Sequence, residues 1–240
     1  MLSVDYKNIY VIGDIHGAAR ALEQCLERVN FDKKEDLLIS LGDVCDGWPE
    51  TNRCIDVFTS LQNYVFVRGN HDWWTQRWIN TKIPDPEWLM HGGKATIESF
   101  GDTINEKYVH FLQEGKRYFE LDNKLFVHAG IHPSQKIEEQ NEEVLYWDRL
   151  LFQIAMLNLH ITKEEVIVPQ YDEVYIGHNP IHREGYLHPL QSGNVWMMDT
   201  GAGWDGVLTI MNIRDKTYKT SDPVPSLYPG VEGRGGIIYK

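Results

Sequence analysis

The chain comprises 240 residues, 42% of them hydrophobic and 24% charged, with a formal net charge of -12. That length and balance fit one globular domain with a sizeable core and argue against a membrane protein, since no apolar run approaches the ~20 residues that span a bilayer. The acidic excess also argues against a nucleic-acid binder, which needs a basic footprint; Lys33-Lys34 and Lys116-Arg117 are short and flanked by acids.

Residues 1–7 carry Asp5 and lack the apolar stretch of a secretory signal, so a cytoplasmic location is expected. Short apolar runs at 9–12, 37–41 and 64–67 read as strands. Between them, 18–29 places Leu22, Cys25, Leu26 and Val29 at amphipathic helical spacing, and 51–61 does the same with Cys54, Val57, Phe58 and Leu61. Strand–helix–strand alternation predicts a mostly parallel sheet with helices on its face. In such sheets ligands gather beyond the carboxyl ends of the strands. Residues 73–117 hold Trp73, Trp74, Trp78 and Trp88 with Pro84 and Pro86, and are expected to form a helical cover over one side of the site. A strand at 125–127 delivers His128, residues 138–159 read as largely helical, and a strand at 174–176 delivers His178. Runs at 195–198 and 207–213 read as an antiparallel pair joined through Asp199-Thr200-Gly201-Ala202-Gly203. Residues 1–220 thus read as one domain, and the Pro- and Gly-rich 221–240 as a loosely packed C-terminal extension. Cys25, Cys45 and Cys54 are too sparse and odd a set for a disulfide framework; Cys25 and Cys54 read as core, Cys45 as a spacer.

Polar motifs follow the apolar runs: Gly13-Asp14-Ile15-His16-Gly17, Gly42-Asp43-Val44-Cys45-Asp46, and Gly69-Asn70-His71-Asp72. Asp14, His16, Asp43 and Asn70 are hard oxygen or imidazole donors suited to a pair of divalent cations, and His128 and His178 follow two later runs in the same way. Two cations about 3.5–4 Å apart can hold a hydroxide and clamp a transferring phosphoryl group. One shared carboxylate must set their separation, and Asp43 is the candidate. Asp14 and His16 would serve the first ion; Asn70, His128 and His178 the second. Such mixed donors suit Mn, Fe or Zn better than Ca, with Mn expected first. Singly these are ordinary turn residues. As an ordered set, each after a strand, they point to metal-assisted attack of water on phosphorus.

Together with Gly47, Arg68, His128-Ala129-Gly130 and Gly177-His178, these motifs resemble the phosphoprotein phosphatase family of the calcineurin-like metallophosphoesterases. Trp147-Asp148-Arg149 and Asp199-Thr200-Gly201-Ala202 look like landmarks of its small bacterial and phage branch. The resemblance covers most of residues 9–213. It implies an α/β sandwich of two mixed β-sheets flanked by helices, with the dimetal site at one edge. It also implies that His71 is the general acid for the leaving alkoxide, a role suited to a group titrating near neutrality, with Asp46 fixing its tautomer. Arg149 resembles a family arginine that binds phosphate. The family usually has a second arginine directly after the aspartate matching Asp46; here stands Gly47, which removes one phosphate clamp. Arg183 is a candidate substitute, or else a surface ion-pair residue. Trp73, Trp74 and Trp204 either wall the pocket or pack in the core. Asp72 and His132 are candidate supporting groups, and Arg68 has no assigned phosphate role.

The leading functional expectation is a dimetal phosphatase that hydrolyses phosphate monoesters by direct attack of metal-bound hydroxide, similar to bacterial Ser/Thr protein phosphatases. Its substrate would be a phosphorylated protein or a small phosphoester. A second reading is a dinucleoside polyphosphate hydrolase, favoured by Asp72, Ile131 and Pro133. Those relatives, however, keep the arginine missing at Gly47 and lack the aspartate present at Asp46. A third is a non-catalytic binding module on the same fold, against which the intact donors and His71 speak. No membrane or nucleic-acid partner is expected.

Overall fold

In a computed structural model of the chain, which describes residues 6–234, ten strands form two five-stranded sheets. The strands are β1 (Ile9–Ile12), β2 (Leu37–Ser40), β3 (Tyr64–Phe66), β4 (Phe119–Leu121), β5 (Lys124–Phe126), β6 (Glu173–Ile176), β7 (Leu190–Ser192), β8 (Val195–Met197), β9 (Thr209–Asn212) and β10 (Tyr218–Thr220). One sheet runs β10-β9-β1-β2-β3 and the other β4-β5-β6-β8-β7. In the first, β1, β2 and β3 are parallel, β9 is antiparallel to β1, and β10, antiparallel to β9, runs with β1; in the second, β5, β6 and β8 are parallel and β4 and β7 antiparallel to them. Both are mixed, as the family resemblance implies.

The two sheets pack face to face with helices outside, giving four layers. The inner layer joins Val11, Ile39 and Met211 of one sheet to Phe126 and Tyr175 of the other. Alternate residues of the same strands, Tyr10, Ile12 and Leu38, face outward against α1 (Ala19–Arg28) and α2 (Thr51–Thr59). Strands buried on both faces read as continuous apolar runs, which is why 9–12 and 37–41 were legible. The helix α1 has no side-chain cap at its N-terminus and rests on packing of Ala21, Leu22 and Cys25.

The stretch expected as a helical cover, 73–117, holds α3 (Asn70–Thr81), the single turn α4 (Pro86–Trp88), α5 (Lys94–Phe100) and α6 (Glu106–Gln113). The second sheet is backed by α7 (Glu142–Trp147) and α8 (Leu150–Leu157) through Leu145, Tyr146 and Leu151. The stretch expected to be largely helical, 138–159, is so, with an interruption at Asp148. Its carboxylate accepts the N–H groups of Arg149 (2.8 Å) and Leu150 (3.2 Å) and so starts α8 afresh.

Two expectations are corrected. The runs at 195–198 and 207–213 do not pair: β8 lies in the second sheet between β6 and β7, and β9 in the first between β1 and β10. The Asp199–Gly203 segment crosses between sheets. Apolar runs of similar length carry no mark of sheet membership; partners come from packing. The stretch after Ser221 is also not loose within the described residues. It forms α9 (Val224–Leu227) and buries Val224, Pro225 and Tyr228, the last stacked on Trp48 at 5.1 Å. Residues 235–240 of that stretch, like residues 1–5, lie outside the described residues.

Phe126 stacks on Tyr175 between the sheets at 4.9 Å and 7°. Phe126→Ala is expected to lower unfolding free energy by roughly 3–5 kcal/mol, seen as a lower urea midpoint. Ile83→Ala, at a side chain 74% exposed, should change it by less than about 0.5 kcal/mol.

Candidate metal centre

The parallel strands β1, β2 and β3 of one sheet and β5, β6 and β8 of the other release their following loops at a common edge, where the six donors predicted from sequence converge. Asp43 Oδ2 lies 3.6 Å from His16 Nε2 and 3.4 Å from His128 Nε2. Asp14 Oδ2 is 4.0 Å from the same His16 nitrogen, and Asn70 Oδ1 is 3.1 Å from His128 Nε2. The His178 ring stands against His128 with centroids 5.0 Å apart. Donors about 2.0–2.2 Å from one cation stand roughly 3–3.5 Å apart, so the spacing fits two ions sharing Asp43. Two potential ligand triads, His16–Asp43–His71 and Asp43–His128–His178, have Asp43 in common.

The imidazoles are oriented for this. His16 Nδ1 meets the Cys45 carbonyl at 3.1 Å and His128 Nδ1 the Leu41 carbonyl at 2.8 Å. A carbonyl only accepts, so each Nδ1 carries the proton and each Nε2 presents a lone pair toward Asp43. Both oxygens of Asp14 accept the His178 N–H, at 3.1 and 3.0 Å. Asp72 organises the β2 loop: its carboxylate accepts the N–H groups of Asp43 (2.7 Å), Val44 (3.0 Å), Cys45 (3.1 Å) and Gly69 (2.9 Å). A Cβ at Gly69 would collide with the Asp43 carboxylate. His16, Asp43, Asp46 and His178 hold φ of 53°, 48°, 75° and 63°. Non-glycine residues in this left-handed region carry strain of about 1–3 kcal/mol each, and here four coincide at one site.

Electrostatics support the same fit. Burial, with the neighbouring Asp199 and Asp43 charges, pushes Asp14 well above the usual carboxylate range. Burial raises Asp43 to about 7 and Asp199 to about 6. It lowers His128 to about 4 and holds His16 and His178 well below ordinary histidine. Clustered carboxylates and neutral imidazoles closed off from water are costly unless cations compensate them. Divalent ions fit this donor set.

Beside it, His71 Nδ1 is 2.7 Å from Asp46 Oδ2. Asp46 also accepts from Trp88 Nε1 (2.6 Å) and Thr96 Oγ1 (2.7 Å), both from the helical cover. Burial pushes the Asp46 carboxyl up, with those two bonds opposing; burial pushes the His71 ring down, with Arg234 and His16 adding to it. Both shifts reflect the cost of carrying each group's charged form away from water. A cavity of about 390 Å³ opens on the cluster and is lined by His71, Arg149 and Arg183, with Trp74, Trp147 and Trp204 among its walls. Trp73 turns away, packing edge-on to Trp147 within the second-sheet core. Arg183 lies over Trp204 at 4.3 Å. Arg68 is spent on the carbonyls of Leu112, Gln113 and Gly115. His132 is tied to Gln140 through its backbone.

Two residues at the centre were not singled out as site residues from the sequence. Asp199 follows β8 as the other donors follow their strands, a signal hidden by the mistaken hairpin. Arg234 reaches His16 Nε2 at 3.0 Å from the far end of the chain, and nothing in the sequence announces it.

A family model described as calcineurin-like phosphoesterase matches residues 7–204. The chain is 25% identical over 217 residues to serine/threonine-protein phosphatase 1 of Salmonella typhimurium, covering 88% of this chain and 94% of that one. It is 28% identical over 135 residues to a symmetrical bis(5'-nucleosyl)-tetraphosphatase of Coxiella burnetii, covering 55% of this chain and 45% of the relative. Among solved structures, a candidate diadenosine tetraphosphatase superposes with a TM-score of 0.69 at 18% identity, over 93% of this chain and 96% of that one.

Divalent cation should stabilise chelator-treated protein. At a hundredfold excess over Kd the gain is about 2.7 kcal/mol, read as a melting temperature higher by roughly 5–10 °C. Asp43→Asn should abolish most of that rise, because one substitution removes a donor from both ions.

Proposed function

The chain belongs to the calcineurin-like phosphoesterase family, and from that premise we propose that this metal-dependent phosphoester hydrolase acts on phosphate monoesters with basic leaving groups, as a Ser/Thr protein phosphatase does. The observation that carries this reading is the buried His71–Asp46 pair, 2.7 Å apart, beside the Asp43-centred donors. A serine or threonine alkoxide is a poor leaving group and needs a proton as the ester bond breaks. A phosphoanhydride has a good one.

Asp14, His16 and Asp43 would hold one cation and Asp43, Asn70, His128 and His178 the second; Mn is the metal we favour, with Fe or Zn as alternatives. The Asp199 charge, near enough to push Asp14 up, adds to the negative charge of the first group. When bound, the pair supplies Lewis acidity and makes water nucleophilic at neutral pH. Trp88 and Thr96 keep the Asp46 carboxylate facing His71 Nδ1, which leaves Nε2 to protonate the leaving oxygen. Arg149 and Arg183 offer planar forks to the non-bridging oxygens as their charge grows. In this reading the expected domain, 1–220, carries the hydrolytic residues, and the stretch through Arg234 packs onto it and lines its cavity.

A second reading, hydrolysis of dinucleoside polyphosphates, draws support from the cavity walls. Trp74 lies parallel to His91 at 6.2 Å, and Trp147 and Trp204 add further faces. Aromatic faces of this kind stack nucleobases.

His71→Asn is expected to lower kcat by roughly 10²–10⁴-fold on a phosphoserine peptide, and much less on p-nitrophenyl phosphate, whose leaving group needs no proton. Equal losses on both substrates would refute the general-acid role. A side-by-side assay of a phosphopeptide, an aryl phosphate and a dinucleoside tetraphosphate should give the highest kcat/KM for the phosphopeptide; preference for the tetraphosphate would establish the second reading instead. Chelation should remove all turnover, with Mn restoring most.

A further inference from the structure

Gly47 stands where the resemblance leads one to expect an arginine, and the structure shows what occupies the space. The chain after α9 runs back over Trp48, and the Arg234 N–H donates to the Gly203 carbonyl at 3.1 Å. From that anchor the side chain enters a slot between three glycines. A Cβ on Gly47 would lie 2.8 Å from Arg234 Cγ, one on Gly92 3.4 Å from the same atom, and one on Gly203 3.1 Å from Arg234 Cδ. Gly47 also has φ of +91°, a conformation that L side chains rarely adopt. A side chain at 47 and the stem of Arg234 therefore compete for one volume.

The head group ends in the catalytic cavity. Its Cζ lies 4.8 Å from the Trp204 ring centroid, and Arg183 stacks on the same ring. Arg149, Arg183 and Arg234 all line the cavity. Arg234 Nε is enclosed and has no hydrogen-bond partner. Nη1 meets His16 Nε2, the lone pair a cation would use. Were a cation to take that nitrogen, the guanidinium would keep the Trp204 face and have its N–H groups free for an oxyanion.

Resting on the phosphoesterase reading above, we propose that Arg234 is a phosphoryl-binding residue that replaces, from the C-terminal stretch, the arginine missing at Gly47. The glycines at 47, 92 and 203 form the channel for its stem. A planar fork delivered this way binds two phosphoryl oxygens at once, which a lysine cannot match.

The test compares the metal-loaded full chain with its Arg234→Ala and Arg234→Lys variants. Bound metal is measured by elemental analysis, orthophosphate affinity by calorimetry, and KM and kcat with p-nitrophenyl phosphate. Arg234→Ala should keep its metal content and weaken orthophosphate binding roughly 10- to 100-fold, with KM rising in parallel. Arg234→Lys should recover only part, and free guanidinium ion should restore binding to the alanine variant but not alter wild type. Unchanged orthophosphate affinity in a variant that still hydrolyses aryl phosphate overturns the proposal and leaves the phosphoesterase reading intact. Tighter metal binding with higher activity in Arg234→Ala also overturns it, since the arginine would then be a plug competing with cation. A wild-type chain inert at every metal loading defeats the phosphoesterase reading, and the clamp with it.

Discussion

Burial of negative charge at the seam between two sheets governs this molecule. Asp14, Asp43, Asp46 and Asp199 are all enclosed where strands of both sheets end. In water each would be ionised at little cost. Enclosed together, they demand positive charge or protons. Asp43 bears most of this constraint, because one of its oxygens faces His16, from the first sheet, and His128, from the second. A shift of one sheet against the other would separate those histidines. The interlayer packing of Phe126 and Tyr175 with Val11 and Ile39 is thus part of the site's geometry.

The strain in the loops follows from the same demand. Short turns after β1, β2 and β6 must aim a carboxylate or imidazole back across the strand ends, and His16, Asp43, Asp46 and His178 adopt left-handed backbone to do so. Asp72 offsets that strain by accepting four N–H groups from the β2 loop and the start of α3. Such a carboxylate sets no chemistry itself, yet it holds the residue shared by both ions. The helical cover has a comparable role toward Asp46 through Trp88 and Thr96. It is therefore a structural component of the acid–base pair as well as a wall of the cavity.

A loss in one loop met by a residue elsewhere is the theme of the Gly47 region. Gly47 has no side chain, and the stem of Arg234 from the C-terminal stretch occupies the space one would need. The family match covers residues 7–204, which takes in Gly47 but not Arg234. The anchoring is tertiary: Tyr228 on Trp48, then Arg234 on Gly203.

Much of the site was legible in the chain itself. Local chemistry is carried by local sequence: strand runs buried on both faces, helical spacing of Leu22, Cys25 and Leu26, and Asp, Asn or His directly after each strand. Short strands were less visible. The β4–β5 hairpin turns on Asp122-Asn123, both left-handed at 49° and 56°, between apolar runs too short to stand out. The sequence by itself determined which donors are available and that each sits at a strand end. Only the tertiary structure decided that β8 and β9 belong to different sheets, that Asp199 therefore joins Asp14, and that Arg234 enters the space above Gly47. Pairing of strands and the path of a distant segment depend on surfaces assembled from many parts of the chain, and no window of neighbouring residues encodes them.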